Sequence, residues 1–453
     1  MWSLMLSFLC CPVQAGTAAP APSLSELAER IPAVIADPLA DGWLMGLSVG
    51  LVRGEETFVG GYGQLEPGGP APDEHTLYEI GSITKVFTSQ LLAQEVIAGR
   101  LALEDTILAS LPEGAAGNRR LRGIRWVDLS NHGSGLPRMP ANFAPANPAD
   151  PYVDYGEEQL VKFLGGLVPR GKPGAKHEYS NLGAAVLGYL IARRNETTYG
   201  ELLRARILGP LGMERSGLAW AEGTRAKPFT VDLLPDHEWN FDVMAPAGGL
   251  RSDVVDLLKF ARSSWQAPDE AWGRAMALSL TESTGGQPGL RMGLGWIRTG
   301  DGAFWWHNGQ TGGYHSYLAV LPEQKLAVVV LGNCASEVID GVGAAMMRLL
   351  RGEEIEPWRY PREAQVEEPR IQGLEGQYRM VDGTVLTVRA AGKRVDLEFP
   401  GPRTVRFYPS SENEFFCRLI PAQLAFERAA DGSAAAMEFR QGALKERAER
   451  VGK

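Results

Sequence analysis

Cysteine is scarce in this chain. There are four in 453 residues, and two of them, Cys10 and Cys11, lie close to the N-terminus. That leaves Cys334 and Cys417, too few for a disulfide framework, and two unpaired thiols are preferred to a bridge between them. Histidine is also sparse, six in all. The six form no ligand pattern, so neither a metal nor another cofactor is expected. Positive charge is in deficit, with 45 Lys and Arg against 54 Asp and Glu, for a net −9. An acidic balance argues against a nucleic-acid partner. Beyond the N-terminus no apolar run reaches about 18 residues, so no transmembrane span is implied. What is ample is apolar content, 44%. The chain is too long for one ordinary core, and two or three domains follow.

At the N-terminus, residues 4–11 form a short apolar core, and Val13-Gln14-Ala15 resembles a cleavage site. This pattern is that of an export signal, although no Lys or Arg precedes the core. Residues 16–22, rich in Ala and Pro, read as a tether. The expected destination is periplasmic or secreted. Lipidation of Cys10 or Cys11 is the less favoured reading, because no small residue directly precedes either in the usual pattern.

The chemistry-bearing stretch is Ser82-Ile83-Thr84-Lys85, the only Ser-x-x-Lys in the chain. Apolar residues follow at helical spacing, namely Ile83, Val86, Phe87 and Leu91. Residues i and i+3 share one helix face, so the hydroxyl of Ser82 and the amine of Lys85 meet. Serine needs a base to become a nucleophile. A lysine in a partly apolar pocket can lose its proton and serve as that base. Alone, the pattern also occurs on solvated helix faces, where it does nothing.

Two further segments add weight. In residues 173–183 a Gly- and Pro-bearing loop carries Tyr179-Ser180-Asn181 into an apolar run, residues 184–191, that reads as a buried helix. A tyrosine there can point its phenol into a cleft, and a nearby ammonium is expected to lower its pKa. Asn181 offers an amide donor and acceptor. The plainer alternative is a loop tyrosine packed on its helix, with Asn181 as cap. The other segment is residues 306–320, with His307-Asn308-Gly309-Gln310-Thr311. It leads into residues 326–331, a strong strand signal. The expected form is a hairpin whose glycines permit close approach of another backbone or a substrate.

Ordered as Ser82-x-x-Lys85, Tyr179-x-Asn181 and His307-Asn308-Gly309, these segments resemble the signature of the penicillin-recognising serine hydrolases. The closest resemblance is to class C β-lactamases and their relatives, the DD-peptidases and family VIII carboxylesterases. Residues 78–82, 129–137 and 247–252 resemble the family as well, and the likeness covers roughly residues 40–350. It implies that Ser82 attacks an acyl carbon while Lys85 and Tyr179 share the proton work. Asn181 would hold a substrate amide. The N–H groups of Ser82 and Gln310 would form an oxyanion hole. His307, Asn308, Gly309 and Thr311 would line the substrate site. The implied substrate is a small molecule: a β-lactam, favoured by the run from Thr311 to Tyr317. Alternatives are a D-alanyl-D-alanine peptide, cut by a carboxypeptidase or D-aminopeptidase, and an ester. A penicillin-binding sensor that acylates without turning over is a further alternative. One departure stands out. Class C enzymes usually carry Lys-Thr-Gly where this chain has His307-Asn308-Gly309. Histidine, with a free pKa of about 6.5, is mostly neutral at pH 7. Carboxylate recognition is therefore expected to be weaker or pH-dependent.

A rival nucleophile is Ser48, in Gly46-Leu47-Ser48-Val49-Gly50. That Gly-x-Ser-x-Gly elbow requires a helix after the serine. Here two strands joined by a turn near Gly54 are predicted instead, so Ser48 reads as a strand residue. His307 and His315 share the predicted hairpin, but a zinc site is not favoured.

The expected organisation is a signal and tether over 1–22, a hydrolase domain over 23–352, a linker over 353–369 and a small antiparallel β-barrel over 370–453. The fold class is α/β: an antiparallel sheet flanked by helices, an all-helical region, and the site between them. The Pro-rich stretch 137–151 is expected to rim the cleft. The C-terminal module, with short alternating stretches between turn signals, resembles the lipocalin-like module of some serine hydrolases of this superfamily.

Overall fold

The computed structural model describes residues 23–283, 291–355, 360–401 and 403–452. The export reading of residues 1–22 falls outside the described residues, as do residues 356–359 of the expected linker. The chain divides between 355 and 356 into two compact units.

The first unit opens on a helix, Leu24–Ala40, started by a capping box in which Ser23 and Glu26 bond reciprocally. Its buried residues Leu24, Leu27, Ile31 and Ile35 recur at helical spacing. Strands β1 (Gly46–Arg53) and β2 (Glu56–Gly63) form the predicted hairpin, turning at Gly54 with φ +60°. A short pair, β3 (Tyr78–Glu79) and β4 (Arg251–Ser252), joins segments far apart in sequence. Strands β5 (Arg291–Met292), β6 (Ile297–Arg298), β7 (Trp305–Gln310), β8 (His315–Leu321) and β9 (Leu326–Gly332) complete a seven-stranded antiparallel sheet of order β2-β1-β9-β8-β7-β6-β5. Strand β9 is buried along its whole length. Helix Val254–Arg262 packs on one face, against Gly50, and the closing helix Val338–Leu350 packs on the other, against Gly332. Both faces being covered, β9 reads as a continuous apolar run and not as an alternating one.

Helix Thr84–Ile97 follows a single 3-10 turn, Gly81–Ile83. It lies between helices Asn181–Arg194 and Glu270–Ser279. Wrapped on all sides, it shows no amphipathic stripe. From Thr76 to Ala93 every residue is buried except Ser82. The buried polar groups in this run find partners. Thr84 Oγ1 donates to Gly81 O at 2.7 Å, Thr88 Oγ1 to Pro246 O at 2.8 Å, and Ser89 pairs with Ser130 at 2.7 Å.

The second unit is a closed barrel of eight antiparallel strands, each paired with the next and the last with the first. They are β10 (Gly376–Met380), β11 (Val385–Ala391), β12 (Arg394–Glu398), β13 (Thr404–Pro409), β14 (Glu414–Cys417), β15 (Ala422–Arg428), β16 (Ala434–Gln441) and β17 (Leu444–Gly452). Its core includes Tyr378, Leu397, Phe407, Phe415, Leu424 and Met437. Cys417 lies in this core, and Cys334 is buried in the first unit.

Candidate active site

Ser82 sits at the mouth of the buried run because Gly81 bends the backbone. Gly81 has φ +48°, and a Cβ there would come within 2.6 Å of Gln310 N. One turn on, Lys85 is 2% exposed. Its Nζ lies 2.8 Å from Ser82 Oγ and donates to Ala247 O at 2.6 Å. The Ala247 carbonyl closes the short helix Ala245–Gly248, part of the 247–252 segment. No carboxylate pairs with Lys85 among the described residues. Burial, helped by the nearby Arg138 cation, holds the Lys85 pKa well below the ordinary lysine range. A free amine in this position can donate to Ala247 and accept the proton of Ser82.

Tyr179 faces the same hydroxyl. Lys85 Nζ lies 4.9 Å and Arg138 Cζ 5.2 Å from the centroid of its ring. The ring of His132 packs at 4.4 Å. An ammonium was expected to lower the phenol pKa, and this expectation is corrected. Burial dominates and pushes Tyr179 up to about 12. Lys85, itself favouring the neutral form, offers little positive charge to oppose this. The phenol therefore keeps its proton and is a donor. His132, in the left-handed region at φ +63°, accepts from Ser180 N at 3.2 Å. Such a conformation in a non-glycine residue is held by its surroundings.

Asn181 begins helix Asn181–Arg194, but the cap is Ser180, whose Oγ accepts from Gly183 N at 2.9 Å. The Asn181 amide is thus free of the capping role. Its Nδ2 contacts Met139 Sδ at 3.7 Å, and its Oδ1 is buried with no protein partner. A buried acceptor left open is a place for a ligand N–H.

Strand β7 delivers the third segment. His307 is 1% exposed, its Nδ1 lies 2.5 Å from Asn308 O, and its Nε2 has no partner. Burial, with Lys85 nearby, pushes its pKa down to about 3. The imidazole is neutral throughout the physiological range. The pleat turns Asn308 to the other face of the sheet, where its Nδ2 donates to Asp340 Oδ2 at 2.7 Å. His315 Nε2 meets the other oxygen of Asp340 at 2.8 Å. The Asn308 side chain is therefore directed away from Ser82. Gly309 lies against the Ser82 turn: a Cβ there would fall 1.9 Å from Ile80 O and 2.8 Å from Ser82 N. The backbone nitrogens of Ser82 and Gln310 border this glycine contact. Thr311 is buried beside Glu79. The Glu79 carboxyl accepts from Trp239 N at 2.7 Å, and burial raises its pKa to about 7.

Ser82, Asn181 and Gln310 open onto a narrow cleft walled by Tyr152, Trp239 and Phe241. Tyr152 stacks on Phe241 at 4.5 Å and meets Trp239 at 5.3 Å. The Pro-rich loop ends at Tyr152 and is tied down where Asn240 donates twice to Asp150, at 2.7 and 2.8 Å. Sequence reasoning anticipated a rim here but named none of these aromatics. Nor did it name Arg138, while His132 and Ala247 fell within family-like segments and were given no role. The signal available was an aromatic pair, Trp239 and Phe241, inside a polar loop. Ser48 stands apart: fully buried in β1, its Oγ lies 3.0 Å from Tyr78 OH and donates to Asp73 O at 3.2 Å. Among the described residues no group of three His, Cys, Asp or Glu could hold a metal ion, and no helix is long and apolar enough to cross a membrane.

A serine and a buried amine in contact, at the head of an enclosed helix beside an antiparallel sheet, form the type of site used by acyl-serine hydrolases. A family model described as Beta-lactamase matches residues 31–350, and the chain belongs to this family of serine hydrolases. It is 24% identical over 406 residues to a penicillin-binding protein of Bacillus subtilis (strain 168), covering 82% of this chain and 87% of that one. It is 23% identical over 304 residues to the D-alanyl-D-alanine-carboxypeptidase/endopeptidase AmpH of Escherichia coli (strain K12), covering 63% of this chain and 78% of that one. A solved Beta-Lactamase/D-Alanine Carboxypeptidase from Pseudomonas syringae shares the fold, with a TM-score of 0.63 at 20% identity over 73% of this chain and 100% of that one. A class C beta-lactamase does so with a TM-score of 0.64 at 19% identity, over 75% of this chain and 100% of that one.

Proposed function

We propose that this chain hydrolyses a β-lactam amide through a covalent acyl-enzyme on Ser82. The observation that carries the reading is the 2.8 Å contact between Ser82 Oγ and a buried Lys85 that has no carboxylate partner. Lys85 takes the Ser82 proton as Oγ bonds to the carbonyl carbon. The oxygen charge that develops is met by the N–H groups of Ser82 and Gln310. As the C–N bond breaks, the Tyr179 phenol gives its proton to the leaving nitrogen and is recharged through Lys85. Water then attacks the ester, losing its proton to the same pair, and Ser82 is restored. Asn181 Oδ1 accepts from the amide N–H of the acyl side chain. The site acts outside the cytoplasm, in the periplasm or as a secreted protein, in keeping with the signal-like N-terminus.

A second reading is hydrolysis of an ester, favoured by neutral His307 in the place of the usual lysine, or of a D-alanyl peptide, favoured by the carboxypeptidase names of relatives. The test is turnover of a cephalosporin, a carbapenem, a D-alanyl-D-alanine peptide and a p-nitrophenyl ester by wild type and Ser82→Ala. Loss of all activity in the variant supports the Ser82 reading, and the preferred substrate selects the branch. Activity that survives in Ser82→Ala sinks it. A penicillin adduct that persists in intact-mass analysis marks a sensor instead.

A further inference from the structure

A β-lactam or a D-alanyl peptide carries a carboxylate next to the bond that is cut, and such an anion needs a cation in the cleft. The strand position that supplies one in Lys-Thr-Gly enzymes cannot do so here. His307 is enclosed, and its Nδ1 is occupied by the Asn308 carbonyl. Lys85 is enclosed too and is committed to Ser82 and Ala247.

Among the described residues one other cation borders the reacting groups. Arg138 is exposed, and its guanidinium lies 5.2 Å from the Tyr179 ring centroid. Among the described residues its guanidinium has no hydrogen bond and no ion pair. Its backbone is fixed, because Arg138 O accepts from Asn181 N at 3.0 Å and Leu182 N at 3.2 Å. The preceding carbonyl, Pro137 O, accepts from Ser180 Oγ at 2.7 Å. A loop tied down at two carbonyls thus presents a guanidinium fork beside Tyr179, on the rim of the cleft that Tyr152 walls. Guanidinium matches a carboxylate bidentately, which an imidazole cannot do.

We propose that Arg138 is the specificity residue that binds the substrate carboxylate, taking over the task of the missing third-motif lysine. This rests on the acyl-serine reading of Ser82. Carboxylate preference therefore comes from the 137–139 loop and not from strand β7.

The test compares kcat/KM for a cephalosporin and a D-alanyl-D-alanine peptide, each as free carboxylate and as methyl ester, in wild type, Arg138→Ala and Arg138→Lys. A charge-assisted hydrogen bond of the usual strength corresponds to a carboxylate-to-ester ratio of roughly 10-fold or more. The expected result is such a ratio in wild type, carried by KM, its collapse towards one in Arg138→Ala, and partial recovery in Arg138→Lys. Reading the ratio cancels any loss common to both forms, such as a disturbed Tyr179. A wild-type ratio near one, or a ratio that survives in Arg138→Ala, overturns the proposal. So does Ser82-dependent turnover confined to esters. Activity that persists in Ser82→Ala is a separate outcome, and it overturns the underlying reading.

Discussion

Lys85 and Tyr179 share one pocket, and burial moves their proton affinities in opposite directions. Desolvation favours the neutral amine and the neutral phenol alike. Lys85 is pushed below its ordinary range and Tyr179 up to about 12. The amine is therefore the group able to accept the Ser82 proton near neutral pH, while the phenol can only donate. The pH dependence follows from the signs. As pH falls through the lowered pKa of Lys85 the amine becomes charged, and kcat/KM should drop on the acid side. Tyr179 stays protonated across any practical assay range and should add no alkaline limb of its own. Tyr179→Phe is expected to lower kcat/KM by about 10²- to 10⁴-fold, the usual worth of a general acid or base, while keeping the acid limb. Lys85→Arg, a permanent cation, should abolish acylation at every pH. Stopped-flow acylation rates from pH 5 to pH 10 would check both. An acid limb that moves or vanishes in Tyr179→Phe would reassign the base.

Strand β7 shows how an element divides its labour. Its pleat sends His307 towards Lys85 and Asn308 towards Asp340 on the closing helix. Asp340 also holds His315 of β8, so one carboxylate ties two strands to that helix. Asn308 is thereby placed to fix strand position, with its side chain facing away from Ser82. Asp340→Ala removes a charged acceptor from two donors and is expected to cost about 2 kcal/mol of stability. Urea unfolding would measure this. KM should change little, since the affected side chains lie on the face away from Ser82. A large rise in KM at unchanged stability would place Asn308 in the substrate site after all. In the barrel, β17 follows its partners and not its own intrinsic preference. Lys445, Glu446, Arg447, Glu449 and Arg450 carry strong helix preferences and hide the alternation, with Ala448 its only fully buried residue. Pairing with β16 and β10 satisfies its backbone and overrides that preference.

For the molecule as a whole, every group assigned to the candidate site lies before Ile355, within one compact unit. A chain ending at residue 355 is expected to remain folded and to keep Ser82-dependent turnover, checked by thermal melting and kcat/KM against the full chain. Failure of turnover in a well-folded truncated chain would give the barrel a part in the chemistry. The pairing of Ser82 with Lys85 was legible in the linear order, because three residues along a helix always means one turn. So were the β1–β2 hairpin, the buried β9 run and the fate of Ser48, each governed by neighbours in sequence. The aromatic wall was not legible: Tyr152 and Trp239 are 87 positions apart and meet only through loop packing. The proton affinities of Tyr179 and His307 were equally hidden, since desolvation comes from segments that arrive from elsewhere. The same holds for the separation of Asn308 from the site, since Asp340 of the closing helix meets one face of β7 and Ser82 the other. Local spacing thus set which residues could react together, whereas long-range packing set their charge states, their orientation and the shape of the cleft they open onto.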